Sequence, residues 1–280
     1  MALSVKGIDH FVIRARDLDA AETLFGRLGF TLTPRGFHSG RGSANHTAVF
    51  SSGNYFELIY LPPGADPSPF GFRPEGPVAV ALEPTDSHAI HAELTALGYE
   101  SEPPRDLSRP VQLPSGARDA RFLNASLPVI APEAIRFFAC QHLTRDLVWR
   151  PEWEGHANGA DRVVELIVVY AAPSELRGTY ATLFGESAVR ADTDRLVVTL
   201  GEDKISFLAP TAFTSRFPGI PAPEDLSKGW FAGATLRVRS LERVAHILSE
   251  AGIFAARAPA GSLVAPPSRA AETLLEFQAA

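Results

Sequence analysis

Apolar and polar positions alternate with period two from Ile8 to Ala15, with Phe11, Ile13 and Ala15 on one face and His10, Val12 and Arg14 on the other. This pattern predicts a strand. Asp17 and Asp19 then offer N-cap oxygens to a short amphipathic helix over Ala20 to Leu28, closed by Gly29. Alternation returns at His46 to Phe50 and at Tyr55 to Tyr60, on either side of Ser-Ser-Gly-Asn, which predicts a hairpin. Pairing those strands with Ala48 opposite Glu57 puts His46 and Glu57 on one face. His10 and Glu57 then both point away from the helix. The unit is one strand, a helix and three strands.

The same order recurs along the chain. After a proline-dense connector (PPGADPSPFGFRPEGP), Val78 to Leu82 reads as a buried strand, and Asp86 or Ser87 caps a helix running to Leu97. Residues 101–118 read as loop with a short strand at Val111 to Leu113, and Ala120 to Leu127 and Ile135 to Cys140 close the second unit. A third begins at Arg162, where Leu183-Phe184-Gly185 repeats Leu24-Phe25-Gly26 near the helix end, and continues into a hairpin of Leu196–Leu200 and Lys204–Leu208. Residues 209–229 form a second proline-rich connector. The fourth unit has its strand and helix at 233–253, then strands near Ala255–Arg257, Ser262–Ala265 and Thr273–Phe277. Four copies of one supersecondary unit must pack on each other. The expectation is an α+β fold with domains at 1–143 and 161–280 joined by a linker at 144–160.

Composition narrows the function classes. A chain of 280 residues can bury two cores, and 45% hydrophobic with 21% charged residues is a globular balance. A net charge of −6 argues against a nucleic-acid partner. No apolar run approaches the roughly 20 residues of a membrane span, and no signal-peptide core precedes the first strand. One cysteine, Cys140, leaves no internal disulfide, so a cytoplasmic setting is expected. No phosphate-binding glycine loop, nucleophile elbow or CxxC pair occurs.

Four strand-helix-strand-strand-strand units, the opening IDHFVIRARDLDAAETLFGRLGF and the strand YFELIYL resemble the vicinal oxygen chelate superfamily of glyoxalases, bleomycin-resistance proteins and extradiol dioxygenases. The glyoxalase-like domain proteins within it are the closer likeness, and the segment FFACQHLTRDLVWRPEWEGHANGADRV is similar to the stretch between their halves. The resemblance implies βαβββ units paired into two cupped mixed sheets, each over a cavity, with metal ligands on the first and fourth strands of paired units.

Carried onto this sequence, those positions are His10 and Glu57 in the first unit. An imidazole nitrogen and a carboxylate oxygen suit a divalent metal such as Zn, Fe(II), Mn, Ni or Co. The second unit offers only Ala79 or Val80 and Phe137, so the expected metal set is His10, Glu57 and His142, which closes the fourth strand of that unit. Glu57 or His142 is the expected proton carrier. His46, on the face of Glu57, His38, in a Gly- and Ser-rich loop, and Trp149, as part of an aromatic lid, are expected to meet ligand. Trp149 and Trp153 could instead staple the halves together. Cys140 reads as a core or cavity residue. In the C-terminal half, Glu165, Ser206, Glu276 and either Ala234 or Thr235 do not compose an ordinary metal site, which suggests structure or dimer-like packing there. The implied activity is that of a lyase or isomerase on a small oxygenated metabolite. A metal-free binding or sequestration protein and an extradiol-type dioxygenase are the alternatives. The expected partners are a small-molecule substrate and at most a second copy of the chain in a homodimer, with neither nucleic acid nor membrane.

Overall fold

The computed structural model describes residues 2–38, 42–67, 70–71, 73–113 and 116–280. The centre of the Gly- and Ser-rich loop, parts of the first connector, and 114–115 of the expected 101–118 loop lie outside the described residues. The first unit is β1 (Val5–Arg14), α1 (Leu18–Arg27), β2 (Gly36–Phe37), β3 (Ala44–Val49) and β4 (Tyr55–Tyr60). The second is β5 (Gly76–Pro84), α2 (Ser87–Ala96), β6 (Arg105–Leu113), β7 (Gly116–Ser126) and β8 (Arg136–His142). A short helix α3 (Pro151–Glu154) precedes the third unit: β9 (Ala160–Val169), α4 (Arg177–Phe184), β10 (Val189–Ala191), β11 (Arg195–Leu200) and β12 (Asp203–Leu208). Then come α5 (Pro210–Arg216), β13 (Trp230–Val238), α6 (Leu241–Glu250), β14 (Ala256–Arg257), β15 (Leu263–Ala265) and β16 (Leu274–Ala279).

The strands form two eight-stranded mixed sheets with one shared topology, β2-β3-β4-β1-β5-β8-β7-β6 and β10-β11-β12-β9-β13-β16-β15-β14. Each is two βαβββ units joined where their first strands pair antiparallel, β1 with β5 and β9 with β13. The helix-bearing faces of both sheets meet over a common core. Asp17 caps α1 by accepting from the amides of Asp19 and Ala20, and the helix buries Phe25 with its ring 5.2 Å from that of Phe56. Phe11 of one sheet lies 6.2 Å from Phe231 of the other, ring to ring. Truncating a residue such as Phe56 to alanine there costs about 3–5 kcal/mol. Polar contacts lock the same junction: Asn54 exchanges two hydrogen bonds with the backbone of Val163, and Asp203 accepts from the Ile8 amide while pairing with Arg162 at 2.7 Å. Gly201 (φ +60°) packs so closely on this seam that a Cβ there would stand 2.2 Å from the Lys6 carbonyl oxygen. No helix among the described residues is long and apolar enough to cross a membrane.

The concave faces point outward as two cups. Three differences from the sequence reading bear on them. Residues 105–113, expected as mostly loop, are a nine-residue strand. Its prolines misled the reading, yet β6 is an edge strand paired only with β7, where Pro110 needs no second partner. The second connector contains the helix α5, with Pro210 in its first turn. Finally, β3 and β4 pair with Thr47, not Ala48, opposite Glu57, because the turn holds Phe50 as well and closes through the Phe50 amide on the Asn54 carbonyl. A one-residue slip swaps faces. Asn45 and Thr47 therefore share the face of Glu57, and His46 does not.

Candidate functional site

His10 and Glu57 reach the N-terminal cup from neighbouring parallel strands, with Val12 opposite Glu57 in the register. Both are buried, and His10 Nε2 stands 3.8 Å from Glu57 Oε2. The other oxygen of Glu57 accepts from Asn45 Nδ2 at 2.6 Å, and His38 Nε2 lies 3.8 Å from that oxygen. Tyr55 stacks on the His10 ring at 4.3 Å and Phe138 meets it edge-on at 5.5 Å, so the imidazole is held between two aromatic side chains. The cavity above these groups measures about 610 Å³, and His10, His38, Asn45, Glu57, Arg109 and Cys140 contribute to its lining. Burial pushes the Cys140 thiol well above its ordinary pKa, which suits a wall residue rather than a nucleophile.

What orients His10 is Asp9. Between Ile8 and His10 the pairing of β1 with β5 shifts by a residue, and this bulge turns the Asp9 side chain onto its neighbour. His10 Nδ1 and Asp9 Oδ1 are 2.6 Å apart, and His142 Nε2 meets the same oxygen at 3.1 Å. Burial alone would raise the Asp9 carboxyl; the charge of His142 and the hydrogen bonds from both imidazoles outweigh it and hold the group well below the usual carboxylate range. Asp9 is thus an ionised acceptor, Nδ1–H of His10 donates to it, and Nε2 is the ring atom facing Glu57.

Three expected ligand residues lie elsewhere. His46 points to the helix side, with Nδ1 bonded to the Thr33 carbonyl at 2.8 Å and Nε2 3.5 Å from Glu22. Trp149 packs behind the cup, 5.6 Å from Tyr55 and 4.8 Å from His142, with its ring N–H on the Phe50 carbonyl. It braces the wall instead of forming a lid. His142 approaches His10 through Asp9, packs against the rings of Tyr55, Phe122 and Trp149, and is not among the residues lining the cavity. Among the described residues Asp9, Cys140 and His142 do bring donor atoms within 4.8 Å of one another, a triad of metal-ligating types behind His10.

The model of a glyoxalase-like domain matches residues 8–184, most of the chain. The chain belongs to the glyoxalase-like domain family. No curated protein sequence matches it. Among solved structures it is similar to a hypothetical protein from Staphylococcus aureus (10% identity, 98% of this chain and 99% of that one, TM-score 0.63). It is also similar to the Mn(II)-bound glyoxalase from Novosphingobium aromaticivorans (14% identity, 99% and 82% covered, TM-score 0.55). A third is BphC, a halotolerant catechol dioxygenase (11% identity, 99% and 87% covered, TM-score 0.52). At these identities the likeness is one of fold.

Within this glyoxalase-like chain the registers define four equivalent positions in each cup. In the N-terminal cup they hold His10 (β1), Glu57 (β4), Ala81 (β5, opposite His10) and Phe138 (β8, opposite Ala81). In the C-terminal cup the same pairings give Glu165, Ser206, Thr235 and Glu276. There Arg216, from α5, occupies the centre: its guanidinium bonds Glu165 at 2.6 and 3.0 Å, Glu276 at 2.5 Å and Thr235 at 3.1 Å, while Ser206 bonds Glu165. Burial raises the Glu165 carboxyl, but the Arg216 hydrogen bonds and charge prevail and hold it below its usual range. The Arg216 guanidinium lies 5.0 Å from the Phe217 ring, and Phe213 packs against Phe217 and Trp230 in a buried apolar cluster. In the first cup the two ligand-type residues face open space. Their 3.8 Å separation lies within the ~4.2 Å that two bonds of about 2.1 Å to one ion can span, and each donor is oriented by a partner of its own, Asp9 or Asn45. An imidazole nitrogen and a carboxylate oxygen so placed are donor types that suit a divalent ion.

Proposed function

We propose that the N-terminal cup is the active site of a divalent-metal-dependent lyase or isomerase acting on a small oxygenated metabolite. The observation that carries the reading is His10 Nε2, its ring oriented by Asp9, facing the Glu57 carboxylate across 3.8 Å in a 610 Å³ cavity. A divalent ion bound there supplies a Lewis acid that polarises a carbonyl or enolate oxygen of the substrate. The chain's own residues do the rest. Asp9 and Tyr55 fix the His10 ring, Asn45 anchors one oxygen of Glu57, and the Glu57 carboxylate is the group proposed to take a proton from the substrate and return it. His142 holds Asp9 in position and so acts on the site indirectly. The manganese-bound glyoxalase of the same fold supports a metal of this kind. Metal content of protein purified without chelator tests the reading: about one equivalent per chain is expected, whereas a chain that is metal-free and takes up none on titration contradicts it.

One observation favours a second reading. Ala81 and Phe138 carry no donor at the two second-unit positions, as a metal-free binding or sequestration protein would allow. Tight binding of a small molecule without turnover, surviving His10→Ala combined with Glu57→Ala, would establish that alternative. The same two positions lack the second histidine that an extradiol-type iron site requires.

A further inference from the structure

We propose that Arg109 anchors the anionic end of the ligand in the N-terminal cup, so that the substrates of this site are small organic carboxylates with an apolar body. The inference takes the cup to be a ligand site, as argued above, and adds the class of molecule it accepts. Arg109 sits on β6, is only 6% exposed and lines the cavity. Other partly buried arginines of the fold have partners: Arg162 pairs with Asp203 at 2.7 Å, Arg216 pairs with Glu165 and Glu276, and Arg73 donates to the carbonyl oxygens of Phe231 and Glu272. Among the described residues the Arg109 guanidinium makes no hydrogen bond or ion pair. A buried cation without a counter-charge is costly, and a guanidinium open to a cavity can recover that cost by gripping a planar carboxylate with two parallel hydrogen bonds.

Its position ties it to the metal-type pair. Gly36 of β2 lies against both Arg109 and Asn45: a Cβ at that glycine would stand 2.4 Å from Asn45 Oδ1 and 3.1 Å from Arg109 Nη1. The guanidinium and the Asn45 amide therefore converge on one spot, and the other end of that amide bonds Glu57. Asn45 thus lies between an anion anchor and the His10–Glu57 pair. The remaining charged lining residues have other roles or positions. Arg105 is exposed and pairs with Glu102, Arg136 bonds the Glu133 carbonyl, and Asp66, His38 and Glu57 oppose an anion or sit with the metal-type pair. Ile59, Leu61, Phe70, Leu107 and Phe138 supply apolar wall. A ligand with its carboxylate on Arg109, an apolar body against Phe138 and an oxygenated centre at His10 and Glu57 satisfies all three surfaces.

The test uses the full chain with benzoylformate, phenylpyruvate and hexanoate as anionic probes and methyl benzoylformate as the neutral match. Calorimetric titration and thermal melting are run on wild type, Arg109→Met, Arg109→Lys and Glu57→Gln. At least one carboxylate is expected to bind wild type and raise its melting temperature, with benzoylformate binding more tightly than its ester. Arg109→Met should weaken carboxylate binding by about tenfold or more, as for loss of a charged hydrogen-bonding partner, and Arg109→Lys by less. Ligand-free Arg109→Met should melt at or above wild type, since an unmatched charge has been removed. Glu57→Gln should still bind the carboxylate, which keeps this result separate from any failure of the metal reading. The proposal is overturned if none of the three carboxylates binds, or if Arg109→Met binds them as wild type does. It is equally overturned if ligand-free Arg109→Met melts several degrees lower, or if Glu57→Gln, rather than Arg109→Met, abolishes carboxylate binding.

Discussion

In the C-terminal cup, Glu165, Thr235 and Glu276 bond the Arg216 guanidinium, Ser206 bonds Glu165, and the Phe217 ring lies 5.0 Å from the guanidinium. In the N-terminal cup, His10, Glu57, Ala81 and Phe138 hold the same register positions beside an open cavity. One topology thus presents two charge arrangements. Two buried carboxylates share one guanidinium supplied from within the fold, by the helix α5. In the first cup no guanidinium among the described residues bridges Glu57; the carboxylate faces the His10 imidazole, with Asn45 on its other oxygen, and both side chains line the cavity.

The largest effect expected from breaking this contrast is on stability in the second cup. Arg216→Met leaves Glu165 and Glu276 buried and facing each other, and should cost about 3–5 kcal/mol by urea unfolding. Adding Glu165→Gln and Glu276→Gln to that variant should restore much of the loss, because the buried charges go with the guanidinium.

Acid should act at the junction between the halves more than in either cup. His156 accepts from the Thr31 amide, donates to the Val49 carbonyl, and is lowered by burial from 6.5 to about 4. The folded state keeps this ring neutral, so its contribution is complete above pH 6.5 and is lost as pH falls toward 4. At 1.36 kcal/mol per unit the loss amounts to about 3 kcal/mol, and His156→Gln should flatten that part of the stability–pH curve.

In the first cup, Asp9→Asn removes the ionised acceptor that fixes the His10 tautomer. Divalent-ion affinity should fall by about 10–100-fold, read by calorimetry. His46→Asn should show the smallest effect, about 1 kcal/mol of stability for one hydrogen bond, with metal affinity unchanged because that ring faces the helix side.

The repeated units were legible because each buries one face of its strands and one stripe of its helix, and both periods survive in the sequence. The common orientation of His10 and Glu57 follows from alternation alone. The rest was hidden by local departures from regular pairing. One extra turn residue, Phe50, exchanged Asn45 and Thr47 for His46, and a bulge at Asp9 turned a residue of the wrong parity onto the site. Arg109 and Arg216 lie in segments whose prolines suggest loop, yet one is on an edge strand and the other on a proline-started helix. What distinguishes the cups was therefore carried by the residues least visible to periodicity.

Manganese titration of wild type beside His10→Ala, Glu57→Gln and Glu165→Gln, followed by calorimetry and by the electron paramagnetic resonance of free Mn(II), tests the contrast between the cups most directly. One equivalent bound per chain, abolished by His10→Ala and by Glu57→Gln and untouched by Glu165→Gln, is the predicted outcome. Binding that persists in the first two variants, or that depends on Glu165, would contradict it.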